Sequence, residues 1–161
     1  MNKINILFVC MGNLCRSPTA EAVFAHHVAK AGLEKRIGIE SAGTHVGHAG
    51  DPADERAKRA AAKRGYDMSR CRTRPLHDRD FERFEYLLAM DDRNLEMLAH
   101  DCPPEHSEKL KLFMAYGMAG TTLSVPDPYY GGVQGFERVL DMVEDAAQGL
   151  LRHLRHQHRL L

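Results

Sequence analysis

The chain has 161 residues, 22 Lys plus Arg against 22 Asp plus Glu, 43% hydrophobic residues, four Cys and no Trp. A length of this order suits one domain with its own core, and the apolar fraction sets it apart from disordered chains, which cannot bury enough surface to offset chain entropy. Zero net charge argues against nucleic acid as partner, because phosphate contacts usually demand a basic excess, and four Cys without paired C-x-x-C spacing predict neither a secreted disulfide scaffold nor a structural zinc site.

Asn2 to Cys10, rich in Ile, Leu, Phe and Val, predicts a strand buried on both faces. Its apolar run Ile6 to Cys10 is too short to span a bilayer and precedes no cleavage pattern, so the expectation is a protein of the reducing cytoplasm with no membrane segment. Gly12 and Asn13 then break the strand as residues that tolerate positive φ, and Pro18 suits the first turn of a helix that runs to Ala31 and stops at Gly32. A short strand, Ile37 to Ser41, leads through a Gly-rich loop to a helix over Pro52 to Arg64, capped by Asp51 or Asp54. Tyr86 to Met90 is the third strand, Asp91 to Ala99 a short helix and Leu110 to Met114 the fourth strand. In the last helix Phe136, Val139, Leu140, Val143, Ala147, Leu150, Leu151 and Leu154 recur at helical spacing.

Strands alternating with helices predict right-handed crossovers, hence an α/β single domain over residues 1–161 with a parallel sheet covered by helices on both faces. Ligands of such folds sit beyond the carboxyl ends of the strands, which directs attention to the segment after Val9. Charge is uneven along the chain: Glu55 to Arg74 carries a net +6 and Asp78 to Glu108 a net −7. Two solvated faces are the plain reading, and a basic rim that attracts an anionic substrate is the sharper one.

Cys10-Met11-Gly12-Asn13-Leu14-Cys15-Arg16-Ser17-Pro18 places Cys-x5-Arg-Ser between a strand and a helix. Spacing alone is weak evidence, since a Cys six residues before an Arg is expected roughly 0.4 times by chance in this composition. The context is what discriminates. Five intervening residues let the backbone curl so that the amides of Met11, Gly12, Asn13, Leu14 and Cys15 face one tetrahedral anion, with the helix dipole behind them and Arg16 closing the ring on two phosphate oxygens. Cys10 then lies beneath the phosphorus, and dipoles of this kind, with the Ser17 hydroxyl, would draw its thiol below the free value of about 8.5. A Walker loop is excluded because no Gly-Lys dipeptide occurs. A thiolate that accepts a phosphoryl group must still expel the leaving oxygen, and Asp127 in Pro126-Asp127-Pro128-Tyr129-Tyr130-Gly131 is the candidate acid, with Tyr129 and Tyr130 as an aromatic wall for a flat substrate.

Together these two motifs resemble the low-molecular-weight protein tyrosine phosphatases of bacterial type over nearly the whole chain. Ser41-Ala42-Gly43-Thr44, Asp54 with Arg56, and Ala89-Met90-Asp91 also match that pattern. The resemblance implies a four-stranded parallel sheet and a two-step hydrolysis of protein phosphotyrosine that uses no metal or other cofactor. Cys10 would become phosphocysteine, Arg16 and the loop amides would hold the transition state, and Asp127 would serve as acid and then as base. It further implies that Asn13 and Ser41 brace the loop, that Ser17 stabilises the thiolate, and that Cys10 and Cys15 form a protective disulfide on oxidation. The implied partners are a tyrosine-phosphorylated protein and a cognate tyrosine kinase, with phosphate, sulfate or vanadate as active-site ligands. Two positions depart from the pattern: Gly47 stands before His48 where relatives place an aromatic residue, and Cys71 stands where they commonly carry His.

Three alternatives stay open. A protein arginine phosphatase shares the fold but usually has Thr at the position of Leu14. A thioredoxin-coupled arsenate reductase needs a relay of closely spaced cysteines, whereas Cys71 and Cys102 are far apart. A phosphate-sensing or redox-sensing module would keep the loop without needing Asp127.

Overall fold

The computed structural model describes residues 3–118, 124–128 and 131–160. Its sheet has four parallel strands in the order β2-β1-β3-β4: β1 (Ile4–Cys10), β2 (Ile37–Gly43), β3 (Tyr86–Ala89) and β4 (Leu110–Leu112). The helices are α1 (Arg16–Lys30), α2 (Glu55–Lys63), α3 (Asp80–Arg83), α4 (Asp92–Asp101) and α5 (Gly132–Gln157).

The apolar run of β1 is explained by its neighbours. Ile4, Ile6, Phe8 and Cys10 join the core that α1, α2 and α5 cover, while Leu7 and Val9 join the core under α3 and α4. A strand with helices on both faces has no polar side to show, so its sequence does not alternate. Phe8 packs edge-on against Phe24 of α1 and Phe113, with ring centroids 5.9 and 4.9 Å apart.

Several boundaries differ from the predicted ones for local reasons. α1 begins at Arg16, so Pro18 is its third residue, which is still within the turn whose amides have no helical acceptor. Asp54, not Asp51, caps α2: its carboxylate accepts from the amides of Arg56 (2.8 Å) and Ala57 (3.3 Å), which leaves Pro52 outside the helix. β4 ends at Leu112 because Phe113–Tyr116 turns into a 3-10 helix packed against α5. That packing is close at Gly149, where a Cβ would lie 1.7 Å from the Tyr116 carbonyl oxygen.

Two arginines of the basic stretch 55–74 are bound within the fold. Arg64 bridges to Glu137 (2.8 Å), Asp141 (2.9 Å) and Glu144 (2.7 Å) and so ties the end of α2 to α5, and Tyr66 donates to Glu144. Arg74 pairs with Asp80, whose side chain is 0% exposed, at 2.9 and 3.2 Å. Arg64 and Arg74 are therefore structural stitching and not part of an anion-gathering rim.

Candidate active site

Beyond the carboxyl end of β1, residues 11–15 form a loop in which several carbonyls, with that of the last strand residue, are tied to backbone amides of neighbouring segments. Those of Cys10, Met11 and Leu14 accept from the amides of Thr44 (3.0 Å), His45 (2.8 Å) and Asp54 (2.9 Å). The amides of Gly12, Leu14 and Cys15 have no protein acceptor among the described residues, while that of Asn13 donates to Cys10 Sγ at 3.3 Å. Engaged carbonyls with unengaged amides make an anion cradle, and α1 begins at once behind it. Gly43 backs the loop closely: a Cβ there would stand 2.7 Å from the Met11 carbonyl oxygen.

Asn13 holds the loop's shape. Of the two residues expected to tolerate positive φ, it is the one that adopts it, at 58°, and Gly12 does not. Its carboxamide is fully used: Oδ1 accepts from the Arg74 amide (3.0 Å), and Nδ2 donates to Ser17 Oγ (2.8 Å) and Ser41 Oγ (3.0 Å). Ser17 Oγ lies 2.9 Å from Cys10 Sγ, and Ser41 Oγ donates in turn to Glu21 Oε1 at 2.6 Å. A hydrogen-bonded chain thus runs from the sulfur through Ser17, Asn13 and Ser41 to a carboxyl beneath the loop. Burial raises the Glu21 carboxyl above its ordinary value, against the hydrogen bonds from Ser41 and Cys71. Burial, followed by the nearby Asp54, pushes the Cys15 thiol up to about 12, and burial with Glu21 beside it does the same to Cys71. At Asp54 burial acts to raise the carboxyl, but hydrogen bonds from Arg56 and the helix amides outweigh it and hold the group low.

Arg16 is buried and oriented by two bonds from Nη1, one to Asp91 Oδ2 at 2.5 Å and one to the Val125 carbonyl at 3.0 Å. Its Nε and Nη2 make no hydrogen bond among the described residues, which leaves the side of the guanidinium suited to two oxyanion oxygens. Asp91 also caps α4, its Oδ1 accepting from the Asn94 amide at 2.8 Å. The Val125 amide donates to the Met90 carbonyl at 2.7 Å, and this bond carries the Asp127 segment to the loop. Cys10, Met11, Gly12, Leu14, Cys15, Arg16 and Asp127 line one cavity of about 350 Å³.

The structure therefore brings together Cys10, Arg16, Asp127 and the loop, with Ser17 and Ser41 behind them; Tyr129 and Tyr130 lie outside the described residues. A Cβ on Gly47 would meet nothing within 4 Å. Sequence reasoning assigned no role to Asp91, Glu21 or Arg74. Asp91 carried a signal, as an acidic residue at the carboxyl end of a strand and the start of a helix, whereas the other two carried none. Among the described residues, no cluster of three or more His, Cys, Asp or Glu could hold a metal ion, and no helix is long and apolar enough to cross a membrane.

A cysteine at the end of a central parallel strand, under an amide cradle with an arginine and a carboxylate over one cavity, defines a cysteine-dependent phosphohydrolase. Comparison with known proteins narrows the class. Residues 5–160 match the model of the family described as low molecular weight phosphotyrosine protein phosphatase. A low molecular weight protein-tyrosine-phosphatase of Streptomyces coelicolor is 43% identical over 155 residues, covering 94% of each chain. The crystal structure of a protein tyrosine phosphatase from Entamoeba histolytica, with Hepes in the active site, superposes with a TM-score of 0.93 at 38% identity, covering 97% of this chain and 99% of that one. An arginine phosphatase with a phosphorylated active-site serine is more distant, at 25% identity and a TM-score of 0.86 over 98% and 99% of the two chains. The chain belongs to the low molecular weight phosphotyrosine protein phosphatase family, hydrolases that act through a cysteine nucleophile.

Proposed function

We propose that Cys10, Arg16 and Asp127 carry the phosphatase reaction of this chain. The observation that carries this reading is the placement of Cys10 Sγ under the cradle, 2.9 Å from Ser17 Oγ and 3.3 Å from the Asn13 amide, in the cavity that Arg16 and Asp127 also line. Cys10 Sγ attacks phosphorus as the bond to the tyrosyl oxygen breaks, and Asp127 gives that oxygen its proton. The phosphoryl group is then on sulfur. Asp127, now a carboxylate, takes a proton from water as the water attacks phosphorus, and Cys10 leaves as thiolate with release of phosphate. Through both steps the equatorial oxygens lie against the loop amides and Nε and Nη2 of Arg16, where preorganised donors act most strongly. Ser17 donates to the sulfur whenever it bears charge, and Asn13 and Ser41 keep Ser17 in place.

The substrate is a tyrosine-phosphorylated protein, supplied by a tyrosine kinase of the same compartment, and phosphate, sulfate or vanadate would occupy the emptied cradle. A nucleophilic thiol must stay reduced, which favours a cytoplasmic location. On oxidation, peroxide converts the Cys10 thiolate to a sulfenic acid, and Cys15 displaces water from it to give a disulfide that thiols reverse.

The test is turnover of p-nitrophenyl phosphate and of phosphotyrosine, phosphoserine and phosphoarginine peptides. Cys10→Ser is expected to lose turnover but keep vanadate binding, and Asp127→Ala to lose most on substrates with poor leaving groups. Turnover that survives Cys10→Ser, or a preference for phosphoarginine, would refute the reading.

A further inference from the structure

Beside the catalytic cavity lies a second one of about 370 Å³ that shares Met11, Arg16 and Asp127 with it and continues along the first turn of α4. Asn94 lines this groove. It is 4% exposed, and its backbone amide is held by Asp91, yet its carboxamide is unengaged: Oδ1 is buried with no partner, and Nδ2 makes no hydrogen bond among the described residues. Buried polar groups are nearly always paired, so a buried, unpaired carboxamide at the wall of a groove points to a ligand that completes it.

The chemistry of the groove narrows that ligand. A carboxamide offers one acceptor and a pair of donors. A phosphate would answer only the donors and a cation only the acceptor, whereas one residue of an extended main chain turns its own N–H and carbonyl to the same side. The rim is mixed in character. Arg93 and Glu96 line it with opposite charges and make no ion pair among the described residues, which does not select for an acidic or a basic segment. Met11, 50% exposed, and Met97, 37% exposed, supply adaptable apolar walls. A surface of this kind reads main chain and tolerates varied side chains.

We infer that this groove holds the polypeptide main chain next to the phosphotyrosine, with the Asn94 carboxamide hydrogen-bonded to the N–H and carbonyl of one flanking residue. Continuity with the catalytic cavity at Met11, Arg16 and Asp127 puts that flanking residue close to the reacting tyrosine in sequence. The inference rests on the phosphatase reading and deepens it. Asn94 would be the residue by which the enzyme favours a phosphorylated polypeptide over a free aryl phosphate.

The experiment compares wild type and Asn94→Ala on p-nitrophenyl phosphate, on a short phosphotyrosyl peptide, and on the same peptide N-methylated at one flanking position at a time. In Asn94→Ala the ratio of kcat/KM for peptide to that for p-nitrophenyl phosphate is expected to fall about fivefold, mostly through KM, the size of one lost hydrogen bond. In wild type one N-methylated position should show a similar loss, with no added loss at that position in the variant. The N-methyl series on wild type stands even if the variant folds poorly. Proportional losses on both substrates, or a wild type indifferent to every N-methylation, would overturn the inference. Absence of turnover on all substrates would instead refute the phosphatase reading on which it rests.

Discussion

Replacing Asn13 tests how the loop keeps its shape. Asn13→Ala deletes the bonds to Arg74 N, Ser17 Oγ and Ser41 Oγ and leaves a Cβ-bearing residue at φ 58° with no side chain to support it. At about 1 kcal/mol for each net hydrogen bond and about 1 kcal/mol for the left-handed backbone, the upper bound is about 4 kcal/mol. Relaxation of the loop would keep part of that out of the global stability, so a loss of about 2 kcal/mol in urea unfolding is expected. The same loosening releases Ser17 from the sulfur and lowers kcat on p-nitrophenyl phosphate by about 30-fold, the rate equivalent of about 2 kcal/mol. Asn13→Gly separates the two contributions, since glycine takes the dihedral freely but restores none of the bonds. It should recover about 1 kcal/mol of stability and little of the rate. An Asn13→Ala protein with stability and kcat within twofold of wild type would refute the idea that this carboxamide organises the site.

Three further outcomes are expected from named contacts. The Glu21 carboxyl, raised by burial, stays protonated in the fold at pH values where the unfolded chain has already ionised; its stabilisation is full below the unfolded value of about 4.3 and declines as pH rises to the folded value. Glu21→Gln should therefore remove a downward slope from the urea midpoint across the weakly acidic range, and parallel curves for the two proteins would count against it. Gly149→Ala drives a Cβ into the Tyr116 carbonyl and should destabilise by about 3 kcal/mol or prevent folding, read by thermal unfolding; a Tm within a few degrees of wild type would mean α5 shifts freely. With the Cys15 thiol pushed up to about 12, disulfide closure after stoichiometric peroxide should be slow at neutral pH and quicken as pH rises, so dimedone should intercept less Cys10 sulfenic acid at higher pH; a partition independent of pH would refute this.

The strands, the order of major helices and the loop were legible because each has a local cause. Val9 and its neighbours are apolar without alternation, Asn13 and Pro18 are turn and helix-start residues, and Cys10 stands six residues before Arg16. The short α3 and the 3-10 helices left no periodicity to read. The start of α2 was ambiguous because Asp51 and Asp54 are both suitable caps in the sequence, and only the backbone path lets Asp54 reach the α2 amides. The supporting residues were hidden for a related reason. Glu21 meets Ser41 only after the β1-α1-β2 crossover has closed, and Arg74 meets Asn13 only once the segment after α2 has docked beside Gly43; nothing in their own segments announces either meeting. The +6 charge count could not show that Arg64 and Arg74 are paired, because their partners, Glu137, Asp141, Glu144 and Asp80, lie outside the segment.

The carboxylate of Asp91 serves two masters, one oxygen on the first turn of α4 and the other on Arg16. Before substrate arrives the guanidinium thus already has a counter-charge, so the pull on an anion comes chiefly from the loop amides and the start of α1. An incoming oxyanion has to share Arg16 with a standing tenant. Free phosphate, with neither ring nor peptide to add contacts, gains least from that exchange, so the arrangement favours departure of the product over its retention.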